Sequence, residues 1–146
     1  MIKSVEVYLV TNGNGQEAIK FYQDALGASV TQVNLFGDFM PDLPEEMKGL
    51  VMNAQLDVNG QRIMLSDNNP EFPYVEGNNI TAALIFDNAE TAEAVYNKLS
   101  VNAKKIEMPL QAVPWSPAYG SLTDQFGINW QINAEVEGYG GEYYGN

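Results

Sequence analysis

The stretch Leu50-Val51-Met52-Asn53-Ala54-Gln55-Leu56-Asp57-Val58-Asn59-Gly60-Gln61-Arg62-Ile63-Met64-Leu65-Ser66 decides the fold. Two runs rich in apolar and β-branched residues flank Asn59-Gly60, a dipeptide suited to the positive φ angles of a type I′ turn, so the stretch predicts a β-hairpin. Its second strand carries Gly60-x-x-Ile63-Met64-Leu65, which returns as Gly127-x-x-Trp130-Gln131-Ile132. A hairpin that recurs asks whether the elements around it recur too.

They do. Upstream of the first hairpin, Val5 to Val10 predicts a strand, and Asn14 with Glu17 predicts a capping box. A helix follows, with Ala18, Phe21, Tyr22, Ala25 and Leu26 on one face, and Gly27 ends it. Ser29 to Phe36 predicts another strand, while Gly37 to Gly49, with Pro41, Pro44 and four acids, predicts a mobile excursion. After Asp67 to Asn79 the order restarts. Ile80 to Phe86 predicts a strand, Asp87 or Asn88 caps a helix bearing Ala92, Val95, Tyr96 and Leu99, and Lys104 to Leu110 predicts the next strand. Pro114-Trp115-Ser116-Pro117 breaks the pattern. Tyr119 to Thr123 and Ile128 to Asn133 then predict a hairpin around Gln125-Phe126-Gly127. Ala18-x-x-Phe21-Tyr22 matches Ala92-x-x-Val95-Tyr96. The expected fold class is therefore α+β: two βαβββ modules, about 4–67 and 79–133, forming curved mixed sheets around a cleft within one domain, 1–133. The tail 134–146, rich in Gly, Tyr and Glu, is expected to fray, or else to clamp through Tyr139, Tyr143 and Tyr144.

Composition narrows the chemistry. The chain has 146 residues, 7 Lys+Arg against 19 Asp+Glu, a formal net charge of -12, and neither Cys nor His. A chain this long buries about 70% of its unfolded surface and needs no disulfide or structural metal to fold. Without Cys and His there is no thiolate nucleophile, imidazole base or thiolate zinc site. Arg62 is the only arginine and the lysines are scattered, so nucleic acid is not an expected partner. No leader and no apolar run of about 20 residues is seen, so the expectation is a cytoplasmic protein without a membrane partner.

The paired βαβββ order resembles the vicinal-oxygen-chelate superfamily, which includes glyoxalase I, bleomycin-resistance proteins and extradiol dioxygenases. The residues are more specific. Tyr8-Leu9, Asn12-Gly13-Asn14, Glu17-Ala18-Ile19-x-Phe21-Tyr22, Ala54-x-Leu56 and Ile63-Met64-Leu65-Ser66-Asp67 resemble the PhnB-like branch. So do Lys105-Ile106-Glu107-Met108-x-x-Gln111, Trp115, and Tyr119-Gly120-x-x-Thr123-Asp124-x-Phe126-Gly127-x-x-Trp130-x-Ile132-Asn133. The resemblance implies the fold and a homodimer. Labels given to this branch, a demethylubiquinone methyltransferase or a role in phosphonate metabolism, find little here: no Gly-rich loop follows the first strand, and one Arg is poor furniture for a dianion.

The resemblance also implies where a metal would sit. Metal-dependent members use side chains from the first and last strands of each module, and those positions map to Val5, Met64, Thr81 and Gln131. Only Gln131 is a plausible ligand, against the three or so charged donors that a catalytic divalent ion takes, so no metal or other cofactor is expected. A one-residue slip in strand register would bring Glu6 in for Val5. The branch's usual His before Ala-x-Leu is Asn53 here.

Three carboxylates are weak catalytic candidates. Asp67 and Asp124, each near a hairpin end, could act as acid or base in an apolar cleft, although the favoured reading is that each opens a turn. Glu107 could line the cleft or belong to a solvated strand face. For a ligand pocket the candidates are Tyr8, Asn53, Met64, Thr81, Trp115, Tyr119, Trp130 and Gln131, aromatic walls with a few amides and hydroxyls. Phe36, Phe39 and Met40 make the Gly37 to Gly49 segment a candidate lid. Two functions remain open: a metal-free protein binding a neutral or cationic, partly aromatic small molecule, or an enzyme of the superfamily using a metal or an Asp/Tyr acid–base pair.

Overall fold

The structure, a computed structural model, describes residues 1–140. The chain divides between Val75 and Glu76 into two compact units. Unit 1 contains β1 (Val7–Thr11), α1 (Gly15–Leu26), β2 (Ser29–Leu35), the helical turns α2 (Phe36–Phe39) and α3 (Glu45–Lys48), β3 (Val51–Val58) and β4 (Gln61–Asp67). Unit 2 contains β5 (Ala82–Phe86), α4 (Ala89–Leu99), β6 (Lys105–Val113), β7 (Ser116–Thr123) and β8 (Asn129–Ala134). The four-stranded sheets have the same order, β1-β4-β3-β2 and β5-β8-β7-β6. In each, the first strand runs parallel to the last and the other pairs are antiparallel.

The repeat residues explain this duplication. Ala18, Tyr22 and Ala25 of α1 are buried, with Ala54, Leu56 and Leu65 buried on the strands beneath. In unit 2, Ala92, Tyr96 and Leu99 of α4 are buried, as are Leu122, Trp130 and Ile132. Each such large side chain contributes about 1.5–3 kcal/mol by leaving water. Asn59 (φ 49°) and Gly60 (φ 81°) supply the two positive angles of the predicted I′ turn.

Several expectations need correction. The first strand begins at Val7, where pairing with Ile63 starts, and reaches Thr11, opposite Asp67. Asn14 makes no side-chain cap, so the Asn14/Glu17 capping box does not form. In its place the Asp67 carboxylate accepts from the backbone N–H of Gly13 and Gly15, each at 2.9 Å. Gly15 permits this approach, since a Cβ there would stand 2.7 Å from Asp67 Oδ2. The Gly37 to Gly49 segment is not structureless: α2 and α3 lie side by side, and a Cβ on Gly37 would stand 2.7 Å from that of Lys48. Pro114 and Trp115 form a tight turn, with β6 reaching Val113 and β7 already begun at Ser116. The tail does not fray at once. Glu135 N–H donates to Phe86 O at 2.8 Å and Tyr139 OH to Val113 O at 3.3 Å. Tyr143 and Tyr144 lie outside the described residues.

Candidate functional site

Side-chain alternation sorts each sheet into a helix-covered face and an open face. On β8, Trp130, Ile132 and Ala134 are buried, while Asn129, Gln131 and Asn133 are only half-buried. Trp130, with 1% of its surface exposed, therefore belongs to the core and not to a pocket wall. The open face of unit 2 carries a connected polar set. Gln131 Nε2 donates to Thr81 Oγ1 at 3.0 Å, and Tyr119 OH donates to Gln131 Oε1 at 3.2 Å. Trp115 meets Tyr119 edge-on, with ring centroids 5.6 Å apart and planes at 74°. Partners on both ends fix the orientation of the Gln131 amide. Such a set can stack on a flat molecule and exchange hydrogen bonds with it, but it contains no side chain that is a base at neutral pH.

Unit 1 offers a smaller counterpart. Tyr8 and Met64 are opposite each other across the parallel β1/β4 pair, and Asn53 Nδ2 donates to Tyr8 OH at 3.2 Å. Val5 precedes the strand and is 91% exposed. Because Tyr8 pairs with Met64 as Ala83 pairs with Gln131, the position matching Thr81 is Glu6. Glu6 is already engaged: Arg62 Nε and Nη2 each donate to it at 2.6 Å, and Ser4 Oγ donates at 2.8 Å. The Arg62 guanidinium, aided by Ser4, lowers the Glu6 carboxyl to about 2.

These residues do not fit a divalent metal. Unit 1 offers a carboxylate held in a bidentate ion pair and a thioether; unit 2 offers a hydroxyl and an amide bonded to each other. Among the described residues, no group of three His, Cys, Asp or Glu could hold an ion.

Two of the three candidate carboxylates, Asp67 and Asp124, hold structure. Asp67, 5% exposed, accepts from Thr11 Oγ1 at 2.8 Å and Val51 N–H at 2.8 Å, besides Gly13 and Gly15. Asp124, fully buried, accepts from Phe126 N–H at 2.8 Å, Ile128 N–H at 3.0 Å and Trp130 Nε1 at 2.8 Å. Glu107 lies on the edge strand β6, paired with Lys105 at 3.2 Å. None of the three belongs to the set around Gln131. Reading the sequence missed the Glu6–Arg62 pair and a cavity beside α4 that includes Glu93. The repeat held the signal for the cavity, since aligning Tyr22 with Tyr96 sets the charged Glu93 against the apolar Ile19.

Comparison with known proteins agrees with this architecture. Residues 4–132 match the model of the Glyoxalase/Bleomycin resistance protein/Dioxygenase superfamily. The chain is 31% identical over 136 residues to Protein YjdN of Escherichia coli (strain K12), covering 86% of this chain and 91% of the relative. It is similar to the crystal structure of protein PA1353 from Pseudomonas aeruginosa, with a TM-score of 0.80, 33% identity, and 92% and 100% of the two chains covered. It also shares its fold with a PhnB protein from Bacillus cereus, with a TM-score of 0.72, 24% identity, and 90% and 99% coverage. A match over nearly the whole chain, and the duplicated sheet order underneath it, make this chain a member of the Glyoxalase/Bleomycin resistance protein/Dioxygenase superfamily.

Proposed function

We propose that the chain is a small-molecule-binding protein that works without a metal, as a cytoplasmic homodimer, and takes a neutral or cationic, partly aromatic ligand. The observation that carries this reading is the Thr81–Gln131–Tyr119 hydrogen-bonded series ending on the Trp115 ring. Trp115 and Tyr119 give an amphipathic wall, Gln131 gives a fixed amide, and Tyr8, Asn53 and Met64 give unit 1 a similar neutral patch. The buried carboxylates support binding over catalysis, because Asp67 and Asp124 are occupied by backbone and indole donors. A net charge of -12 disfavours anionic ligands. Among the described residues no helix is long and apolar enough to cross a membrane.

Native mass spectrometry of the full chain tests the reading, as purified and after dialysis against Mg²⁺, Mn²⁺, Ni²⁺ and Zn²⁺. The expected result is a dimeric mass, no stoichiometric metal, and a retained organic mass that the Gln131→Leu variant loses. A stoichiometric metal, or a retained mass unaffected by Gln131→Leu, overturns it.

A further inference from the structure

The two units differ in the seam between helix and sheet. In unit 1, Ile19 on α1 is buried, 6% exposed. In unit 2 the matching residue is Glu93, which is exposed, and a cavity of about 340 Å³ opens between α4 and the β6–β7 edge. Its lining is more polar than apolar: Glu93, Asn97 and Gln111 supply polar groups, and Leu110 and Pro117, with the small exposed edges of Tyr96 and Ala118, supply the apolar part. The Tyr96 ring can lie deep because β7 has Gly120 beneath it, where a Cβ would stand 3.0 Å from Tyr96 Cε2. Its OH, donating to Met108 O at 3.3 Å, holds the ring in place. Thr81, Tyr119 and Gln131 do not line the cavity, so it is separate from the site proposed above.

We propose that this cavity is a second ligand site, selective for a small organic cation with an apolar body, of the arylalkylammonium class. The volume lies at the lower end of the range for small-molecule sites, about 300–1,000 Å³, and so fits a molecule of one ring and a short chain. Among the described residues Glu93 is the only charged one in its lining, and the chain's charge of -12 adds an attractive field for a cation. The apolar patch of Leu110, Pro117 and the exposed edge of the Tyr96 ring meets the ligand's body, while Glu93 takes its ammonium and Asn97 and Gln111 offer amide oxygens to the remaining N–H groups.

The test titrates the full chain, ¹⁵N-labelled and at low salt, with phenethylammonium, 2-phenylethanol and phenylacetate, following backbone amide shifts. The expected result is saturable shifts at Glu93, Asn97, Leu110 and Ala118, with the ammonium bound at least 10-fold more tightly than the alcohol and the carboxylate more weakly than either. Glu93→Gln, an exposed and nearly isosteric change, is expected to keep the thermal midpoint and the alcohol's affinity while removing the ammonium's advantage. Equal affinities in the parent chain, an advantage that survives Glu93→Gln, no saturable shift with any probe, or shifts centred on Thr81, Tyr119 and Gln131 would each overturn the proposal. Failure of the open-face reading leaves these shifts unchanged, because they fall on other residues.

Discussion

In unit 1 the buried carboxylate, Asp67, stands at the end of β4 and gathers groups from β1, the entry to α1 and β3, contacts that span 16 to 56 residues of sequence. In unit 2 the matching residue is Ala134, and the buried carboxylate is Asp124, whose acceptors serve residues 2, 4 and 6 positions away. The helix starts differ in the same sense. Asn88 Oδ1 caps α4 from Thr91 N–H at 2.8 Å, whereas in α1, which lacks a side-chain cap, the first N–H, that of Gly15, goes to the distant Asp67. The turns complete the contrast: Asn59-Gly60 closes a two-residue hairpin, while the longer Asp124 to Ile128 connection is held by its own side chain. Among the described residues, these contacts fasten one architecture non-locally in unit 1 and locally in unit 2. Asp67 ties together segments that no local turn joins, so its loss is expected to be the more consequential.

Replacing the two carboxylates is the strongest way to break that contrast. Asp67→Ala leaves three backbone N–H groups and the Thr11 hydroxyl without their acceptor, and is expected to destabilise the fold by about 3 kcal/mol or more. Asp124→Ala strands two backbone N–H groups and the Trp130 indole N–H, with an expected loss of about 2 kcal/mol, since a short turn can open towards water. Urea unfolding measures both. A loss for Asp124→Ala equal to or above that for Asp67→Ala would show that the non-local fastening is not the stronger one.

The helix caps sharpen the contrast at smaller scale. Asn88→Ala removes a formed cap and is expected to cost about 1 kcal/mol, whereas Asn14→Ala is expected to stay within about 0.5 kcal/mol. Comparable losses at the two positions, read from urea midpoints, would mean that Asp67 does not take over the capping of α1.

These asymmetries mark where sequence reading succeeds and where it stops. Periodicity at Ala18, Tyr22, Ala92 and Tyr96 and the Asn59-Gly60 turn announce helices and hairpin because both signals are local. The Asp67 staple is invisible, since nothing in Asn14-Gly15 says that a carboxylate 52 residues away will be the acceptor. Trp130 read as a pocket wall because an aromatic on a strand fits either face; one residue of register decides, and its neighbour Gln131 takes the open side. Gln131, Thr81 and Tyr119 were legible as polar or aromatic strand residues, but their mutual hydrogen bonds depend on cross-strand pairing. The cavity at Glu93 required comparing the units position by position.

The smallest expected effect lies where unit 1 carries Glu6 and unit 2 carries Thr81. The Arg62 hydrogen bonds, then Ser4, lower the Glu6 carboxyl from 4.5 to about 2, and Glu6 in turn raises the Arg62 guanidinium. A carboxyl whose pKa is depressed on folding gives stability that is present above its unfolded value and is lost as pH falls through the folded one. The stability difference between the parent chain and Glu6→Gln should therefore be flat above pH 4.5 and shrink steadily between pH 4.5 and pH 2. Its size should be small and should fall with added salt, because the pair is in contact with solvent. Thr81→Val, altering the matching position in unit 2, should show no such pH dependence. Urea midpoints over that pH range decide the matter: a Glu6→Gln difference that persists undiminished at pH 2 would assign the loss to packing around Arg62 and not to its charge pair.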